Sequence, residues 1–426
     1  PVETRPKTIL QLSNTPLSAP ISPQPVSIGE ELEFELRTLI PVVQLQSFIV
    51  VDRLPPGMSC AEAPDVDLGA PPYDAAGFVP GGVFTPICSN DQVVWFFGSQ
   101  RLTTTDRNDR RFDFGVQFLA RIENRVANQD GLVIGNGGDY TETEVRYRDE
   151  AGNQVIIDFD AAEVVIAEPL LELTKAFAVE TADAGDVLTV TVTASNNGTA
   201  PAYNPRILDD LTGVNFSYVG NVAGTNPPTN IDTTTYGADS PVFSWDPGYE
   251  IPVGGQVSFT FDVQVGDTVQ PLQVLENTIQ ADWTSLPGRD TALSSTGEIG
   301  IDGEVDGMRI GALPNAGNAL NDYEAEASDS VYVPPPQITK TDLDPALPPE
   351  IGAHKPFQVQ IDLPEGESNA VSLADDLANG AVSYFLSDNA DFDVTYEFAG
   401  IASINGQPPS ESAFTVTPAD GASGVA

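Results

Sequence analysis

Apolar and polar residues alternate along many short segments of the chain, and this alternation predicts β-strands that bury one face. Clear examples are Leu32–Leu36, Val187–Val192 and Phe357–Ile361. Turn residues separate these segments at short intervals, which is typical of an all-β protein.

Three copies of one strand pattern follow each other along the chain. Each copy has a first strand, a Gly-containing turn, an alternating second strand and a landmark that contains Asp. The first strands include Leu10–Asn14, Leu171–Lys175 and Gln337–Lys340, and the landmarks are Val51–Pro55, Leu208–Leu211 and Ala374–Leu377. The separation between Lys175 and Lys340 agrees to within one position with the separation between Asp209 and Asp375.

The repeat predicts tandem immunoglobulin-like β-sandwiches. The predicted domains are 1–167, 168–333 and 334–426. Pro-containing links join them, and proline stiffens a junction, so we expect an extended array. The third copy stops at Ala426 before its closing strands, so we expect the parent chain to continue or another chain to supply those strands.

The charge of the chain narrows the classes of partner. Its 426 residues include 62 acidic and 18 basic residues, a formal net charge of −44. Such a surface repels nucleic acid and anionic lipid, and it suits divalent cations or simple solvation in a salty medium.

No apolar run of about 18 residues occurs, so we expect no direct membrane insertion in this segment. The chain begins at Pro1, which predicts a processed protein or part of a longer one.

Two cysteines, Cys60 and Cys88, both lie in the first copy. A lone pair within one domain predicts a disulfide in an oxidising compartment, and the alternative is two buried thiols. The disulfide interpretation implies secretion.

The second copy resembles a known family. Its Leu-Thr-Lys strand, Gly-Asp turn, Leu-Thr-Val-Thr-Val-Thr strand and Asn196–Ala200 resemble the bacterial surface repeat family known as domain of unknown function eleven. The segments Trp283–Gly288, Asn321–Tyr323 and Ala327–Val331 strengthen that resemblance, and the copy is also similar to related fimbrial isopeptide-forming domains. The resemblance implies a β-sandwich in a large secreted or surface-attached bacterial protein.

Motifs for catalytic turnover are missing from the sequence. The single His354 has no Cys nearby, no His cluster suits zinc, and no Gly-rich phosphate loop follows a strand. We therefore expect a protein that is not an enzyme, with self-directed chemistry as the one exception.

The small number of lysines and their positions indicate where such self-directed chemistry could occur. The chain has only four Lys residues, and strand parity places Lys175, Asp209 and Asn277 each on the apolar face of its strand. Desolvation lowers the pKa of a buried Lys, and a buried carboxylic acid polarises an amide and carries protons, so the three can form an amide bond. We expect a Lys175–Asn277 isopeptide assisted by Asp209. The alternative is a buried Lys175–Asp209 salt bridge with Asn277 as a hydrogen-bonding core residue.

The other two copies depart from this pattern. In copy one, Asn14 stands at the Lys position and either Thr141 or Asn136 at the Asn position, so we expect no bond there and a disulfide as the substitute brace. Copy three has Lys340 and Asp375, and its Asn would come from beyond the end or from another chain.

An acidic loop interrupts the strand pattern of copy two. Asp302, Glu304 and Asp306 alternate before Gly307, as oxygen ligands do in a calcium loop. The bidentate acid that usually follows six residues after the Gly is absent, because Leu313 stands there, although acids at 322, 324 and 326 could act from across the loop. Calcium is therefore the one cofactor that the sequence suggests, and a flexible acidic hairpin without an ion is the favoured alternative.

Three functions remain after these exclusions. The leading one is an extracellular structural or adhesive stalk on a bacterial cell surface, whose partners are other repeats of the same or neighbouring chains and an unidentified surface ligand. The second is a filament subunit that is completed by a strand from its neighbour. The third, a carbohydrate-binding module, would need an exposed aromatic platform, for which Trp245 is the candidate.

Overall fold

The computed structural model describes residues 2–17, 22–41, 44–62, 66–67, 86–101, 111–288, 301–347 and 355–368. All regular elements in these ranges are β-strands, so the predicted all-β class is confirmed. By compactness the chain divides into a unit of residues 1–367 and a unit of residues 368–426, and every strand described below lies in the first.

Fourteen strands lie in the described residues of the first copy. They are β1 (Glu3–Thr4), β2 (Thr8–Leu12), β3 (Gln24–Val26), β4 (Glu31–Pro41), β5 (Gln44–Arg53), β6 (Met58–Glu62), β7 (Val66–Asp67), β8 (Ile87–Ser89), β9 (Gln92–Arg101), β10 (Arg111–Ile122), β11 (Val133–Asn136), β12 (Thr143–Arg148), β13 (Gln154–Asp158) and β14 (Ala162–Ile166).

The strands of the first copy build a sandwich. One sheet has the order β1-β4-β10-β6, with β2 also on β4 and β7 on β10, and a second sheet has the order β13-β12-β5-β9-β8. A small third sheet is ordered β11-β14-β3. Aromatic rings from the two large sheets meet between them: Phe48 lies 5.7 Å from Phe114, and Trp95 lies 5.9 Å from Phe118, centroid to centroid. The core therefore lies between the sheets.

The second copy has ten strands in the part of it that the structure describes. They are β15 (Leu171–Phe177), β16 (Val187–Asn196), β17 (Ala202–Asp209), β18 (Phe216–Thr225), β19 (Asn230–Asp232), β20 (Val242–Ser244), β21 (Glu250–Ile251), β22 (Gln256–Val265), β23 (Val274–Thr284) and β24 (Glu324–Tyr332).

The second copy is also a two-sheet sandwich. One sheet has the order β15-β16-β22-β18, and the other has the order β19-β20-β17-β23-β24, with β21 on β17. Phe243 of the second sheet lies between Phe259 and Phe261 of the first, at centroid distances of 5.0 and 4.8 Å. Its core cluster begins at Leu171, whereas the core cluster of the first copy ends at Ile166.

The strand pairing repeats between the copies. In copy one β2 and β10 both pair antiparallel with β4, and in copy two β15 and β22 both pair antiparallel with β16. A third hairpin, β25 (Gln337–Asp342) with β26 (Phe357–Asp362), repeats the first of these pairings. The landmark Ala374–Leu377, with Asp375, lies outside the described residues.

The predicted disulfide between Cys60 and Cys88 is present. Cys60 lies on β6 and Cys88 on β8, so the bond joins the two large sheets of the first sandwich.

Within the described ranges, no helix is long and apolar enough to cross a membrane.

Candidate cross-link site in the second sandwich

Three strands of the second sandwich place polar side chains in its core. On β15 the buried positions alternate and end with Lys175. Asp209 is the last residue of β17 and is buried. Asn277 shares the buried face of β23 with Leu275 and Ile279. Because β15 belongs to one sheet and β17 and β23 to the other, the three residues meet across the sandwich.

The side chains of Lys175 and Asn277 both contact the carboxylate of Asp209. Nζ of Lys175 lies 3.1 Å from Oδ1 and 3.0 Å from Oδ2 of Asp209, and Nδ2 of Asn277 donates to the same Oδ2 at 3.2 Å. The Lys175 and Asp209 side chains are fully buried. Oδ1 of Asn277 is buried and has no hydrogen-bond partner in the structure. A buried carbonyl oxygen without a donor is uncommon and marks this amide as unusual.

Burial brings the Lys175–Asp209 pair towards its neutral form. Desolvation lowers the pKa of Lys175 and raises the pKa of Asp209, while the attraction between the two charges opposes both shifts. A neutral amine is a nucleophile, and a protonated carboxyl group is a proton donor. Both pKa shifts therefore run towards the two protonation states that amide formation requires.

The neighbouring edge strands also meet at this site. Asp329 on β24 stands opposite Asn277, and its carboxylate accepts a 2.8 Å hydrogen bond from the backbone N–H of Phe177 on β15. The ring of Phe177 lies under the ammonium of Lys175 at 5.8 Å. Asp210, the next residue after Asp209, is exposed and accepts hydrogen bonds from Thr212.

The first sandwich contains a related group, in which Lys7 and not Asn14 occupies the Lys position. Asn14 does not occupy a Lys-like position: it follows β2, and its side chain donates to the hydroxyl of Tyr203. Lys7, in the segment between β1 and β2, contacts Asp52 instead, and both side chains are fully buried. Two signals in the sequence were consistent with this pair but did not identify it: the scarcity of Lys and the position of Asp52 in the landmark of copy one.

The third partner also differs in the first sandwich. Thr143 stands opposite Asp52 on β12 and donates its hydroxyl to the Asp52 carboxylate at 3.1 Å. Thr141 and Asn136, the two candidates for the Asn position, bond to each other at 3.2 Å. The ammonium of Lys7 lies over the rings of Phe34 and Phe118. The equivalent of the Asp209–Asn277 contact is thus an Asp–Thr contact.

In the third copy, Lys340 is exposed on β25 and lies over the ring of Phe357 at 5.1 Å. Its predicted partner Asp375 falls outside the described residues. The described part of this copy therefore contains no buried Lys–Asp pair.

The structure does not support the predicted calcium site. Within the described ranges, no group of three or more His, Cys, Asp or Glu side chains is arranged to hold a metal. Asp302, Glu304 and Asp306 lie in a turn whose backbone bonds to itself, from Gly303 N–H to Met308 O. The carboxylate of Glu324, a proposed distant ligand, instead accepts bonds from the backbone of residues 312, 316 and 317.

The tryptophans form no exposed platform. Trp95 and Trp283 are buried in the two cores, and Trp245 is also buried, stacked on Tyr249 and bonded through Nε1 to the carbonyl of Asn226. This arrangement removes the observation on which the carbohydrate-binding hypothesis rested.

Comparison with known proteins gave matches among solved structures alone. No family model and no curated protein matches the chain. The chain is similar to BcpA, the major pilin subunit of Bacillus cereus, at 10% identity over 70% of this chain and 61% of that one, with a TM-score of 0.28.

Two further pilin structures match at 14% identity. The 35 kDa C-terminal fragment of the major pilin GBS80 of Streptococcus agalactiae covers 67% of this chain and 87% of its own, with a TM-score of 0.30. Domains D2 and D3 of the major pilin SpaD from Corynebacterium diphtheriae cover 69% and 87%, with a TM-score of 0.25. Likeness at this level carries no argument about function, which must come from the geometry of the chain itself.

Proposed function

We propose that the chain is an extracellular structural segment of a bacterial surface stalk or adhesin, in which the second sandwich is closed by a Lys175–Asn277 isopeptide. The buried contact of Lys175, Asp209 and Asn277 across the two sheets supports this proposal. A cross-link of this kind resists pulling and proteolysis, which is the property that a surface stalk needs.

The reaction uses only these three side chains. Nζ of neutral Lys175 attacks Cγ of Asn277, the new N–C bond replaces the bond to Nδ2, and ammonia leaves. Once the amide has turned by half a rotation, protonated Asp209 donates its proton to Oδ1 of Asn277 and then carries a proton from the attacking amine to the leaving nitrogen. The proton on Oδ1 returns to Asp209 as the C=O bond re-forms and ammonia leaves. Oδ1, which now lacks a partner, gains one in that orientation.

The proposed bond would change the energetics of the site. A buried Lys–Asp pair contributes little net stability, because the cost of desolvating both charges offsets their attraction. An isopeptide removes the ammonium altogether and ties β15 of one sheet to β23 of the other. The two sheets then cannot separate without breaking a covalent bond.

Intact mass spectrometry of the purified chain tests the proposal. We expect a mass roughly 17 Da below the sequence mass, beyond the loss of two hydrogens at the disulfide, and a branched peptide that joins β15 to β23 after digestion. If the mass shows no loss of ammonia and the peptides of the two strands are separate, the three residues form a salt bridge and no isopeptide.

A second candidate is a filament subunit that receives a strand from its neighbour. In the described ranges β26 pairs with β25 alone, and this hairpin exposes Ile338, Phe357 and Leu363. An apolar two-stranded edge is a template for strand addition. Electron microscopy of the purified protein separates the two functions: concentration-dependent fibres support the filament, and discrete monomers support the stalk.

A further inference from the structure

The acidic loop of the second copy makes a large set of contacts with the first copy. Residues 301–312 of this loop are called here the junction loop. Carbonyl oxygens of the junction loop accept hydrogen bonds from the first copy: Val305 O from Asn124 N–H at 2.9 Å, and Asp306 O from the Arg121 guanidinium at 2.9 Å. Both acceptors are main-chain carbonyl oxygens of the junction loop.

Arg309 is the centre of this contact. It is fully buried, although it is a charged residue on a loop. Its guanidinium donates to Oδ1 of Asn124 at 3.0 Å and to the carbonyl of Arg125 at 2.6 Å, both in the first copy, and it forms an ion pair with Glu168. Burying a guanidinium is costly unless each donor has a partner, and here the partners come from both sides of the junction.

Glu168 belongs to the link between the sandwiches. Its carboxylate also accepts a 2.9 Å hydrogen bond from the buried hydroxyl of Tyr323 and a 2.7 Å bond from the backbone of Asp130. Its own N–H donates to the side chains of Asp130 at 3.1 Å and Thr199 at 3.0 Å. The link is therefore held by the first copy, the second copy and the junction loop together.

The fit between the two copies is close at the backbone level. Gly29 in the first copy has φ +88°, and a Cβ there would lie 2.7 Å from Cα of Met308. The Ser285 hydroxyl donates to the carbonyl of Ile28 at 2.7 Å, beside the Arg309 N–H that donates to the same hydroxyl. Only a residue without a side chain fits at position 29.

We propose that the junction loop is a docking element which locks the first two sandwiches into one rigid body, and that Arg309 is the residue on which the lock depends. Neighbouring domains in one chain move relative to each other by default, unless their interface is extensive and specific. The junction supplies such an interface from a segment that the sandwich fold does not itself require. The inference is independent of the proposed isopeptide, since none of these residues belongs to that site.

The test measures the distance distribution between two spin labels by pulsed electron paramagnetic resonance. The labels are placed on the exposed positions Gln154 and Asp267, one in each sandwich, through the substitutions Gln154→Cys and Asp267→Cys, with the native disulfide kept oxidised. We expect a narrow distribution in the parent chain and one at least about twofold broader in Arg309→Met. Arg53→Met is the matched control, since it removes a half-exposed ion pair with Glu142 inside the first sandwich and should leave the distribution narrow.

Asn124→Ala tests the same junction with a change in the first copy. It leaves the buried ion pair of Arg309 and Glu168 in place. The Asn124 side chain bonds to Arg309, Asn321 and the carbonyl of Gly303, so its removal should also broaden the distribution. Near-UV circular dichroism checks that both sandwiches stay folded in each variant. A broad distribution in the parent chain, or folded Arg309→Met and Asn124→Ala variants as narrow as the parent, would overturn the proposal.

Discussion

Nζ of Lys175 lies 3.0 Å from Oδ2 of Asp209 in the core of the second sandwich, and neither side chain reaches solvent. The lysine comes from one sheet and the aspartate from the other. A salt bridge in this place would be a poor source of stability, because desolvation of both groups offsets their attraction. The same contact becomes useful if the amine is consumed in a covalent bond to Asn277.

The role of Asp209 can be separated from that of its neighbour. Asp209→Asn keeps the size of the side chain but removes the proton carrier, so we expect the loss of ammonia to stop and the mass deficit of roughly 17 Da to disappear. Asp210→Asn is the matched control, because Asp210 is exposed and bonds to Thr212 instead. Loss of ammonia in both variants would show that Asp209 has no part in the reaction.

Amine-labelling distinguishes the covalent bond from the salt bridge. In the folded chain an amine-reactive ester should modify the exposed Lys340 and leave the buried Lys7 and Lys175 unmodified. After denaturation Lys7 should become reactive, whereas Lys175 should stay unreactive because its nitrogen is already an amide. Peptide mapping measures each site, and a denatured chain labelled at Lys175 would favour the salt bridge.

The buried Lys7 predicts how stability depends on pH. Burial lowers the pKa of Lys7 from 10.5 to about 8, and the contact with Asp52 only partly offsets this shift. Between those two values the unfolded chain binds more protons than the folded chain, so this group makes the free energy of unfolding rise as the pH increases from about 8 towards 10.5. Below about pH 8 its contribution is constant.

Denaturant unfolding at several pH values measures this effect in the parent chain and in Lys7→Met. The rise above pH 8 should be smaller in the variant, and Lys340→Met, which removes an exposed amine, should behave as the parent does. Parallel pH profiles for the parent and Lys7→Met would contradict the assignment of Lys7 as a desolvated lysine.

The disulfide should stabilise the first sandwich selectively. It spans 28 positions and joins two sheets, and a loop of that length corresponds to about 3–4 kcal/mol. Replacing Cys60 and Cys88 by Ser should therefore raise hydrogen exchange in β4, β5 and β10 much more than in β16 and β22. Equal increases in both sandwiches would show that the bond acts on the pair as a whole.

Part of the candidate site was predictable because strand parity is a local property. Alternation along Leu171–Lys175 and around Asn277 places each polar residue on the face of its strand that is buried, whatever the rest of the chain does. Once two sheets face each other, buried polar groups of opposite charge must meet. The three residues predicted to share the core of copy two therefore do so in the structure.

The group in the first sandwich was not predictable by the same means. β1 and β2 both pair with β4, with a break between them and a register shift between Ile9 and Gln11, so the motif at Leu10–Asn14 is out of step with that of copy two. Lys7 lies in the break and follows no alternation. Its place is decided by Asp52, whose buried carboxylate needs a cation.

The sequence by itself determined the all-β class, the repeated strand pattern and the buried faces of Lys175, Asp209 and Asn277, since all of these follow from short-range alternation and spacing. The disulfide was predicted on a different ground, because Cys60 and Cys88 are the only two cysteines. Only the tertiary structure decided that Lys7 meets Asp52 and that Arg309 enters the junction beside Glu168. Those contacts join segments with no periodic pattern. They are selected by the cost of leaving a buried charge or hydrogen-bond donor without a partner, which appears only when the fold is complete.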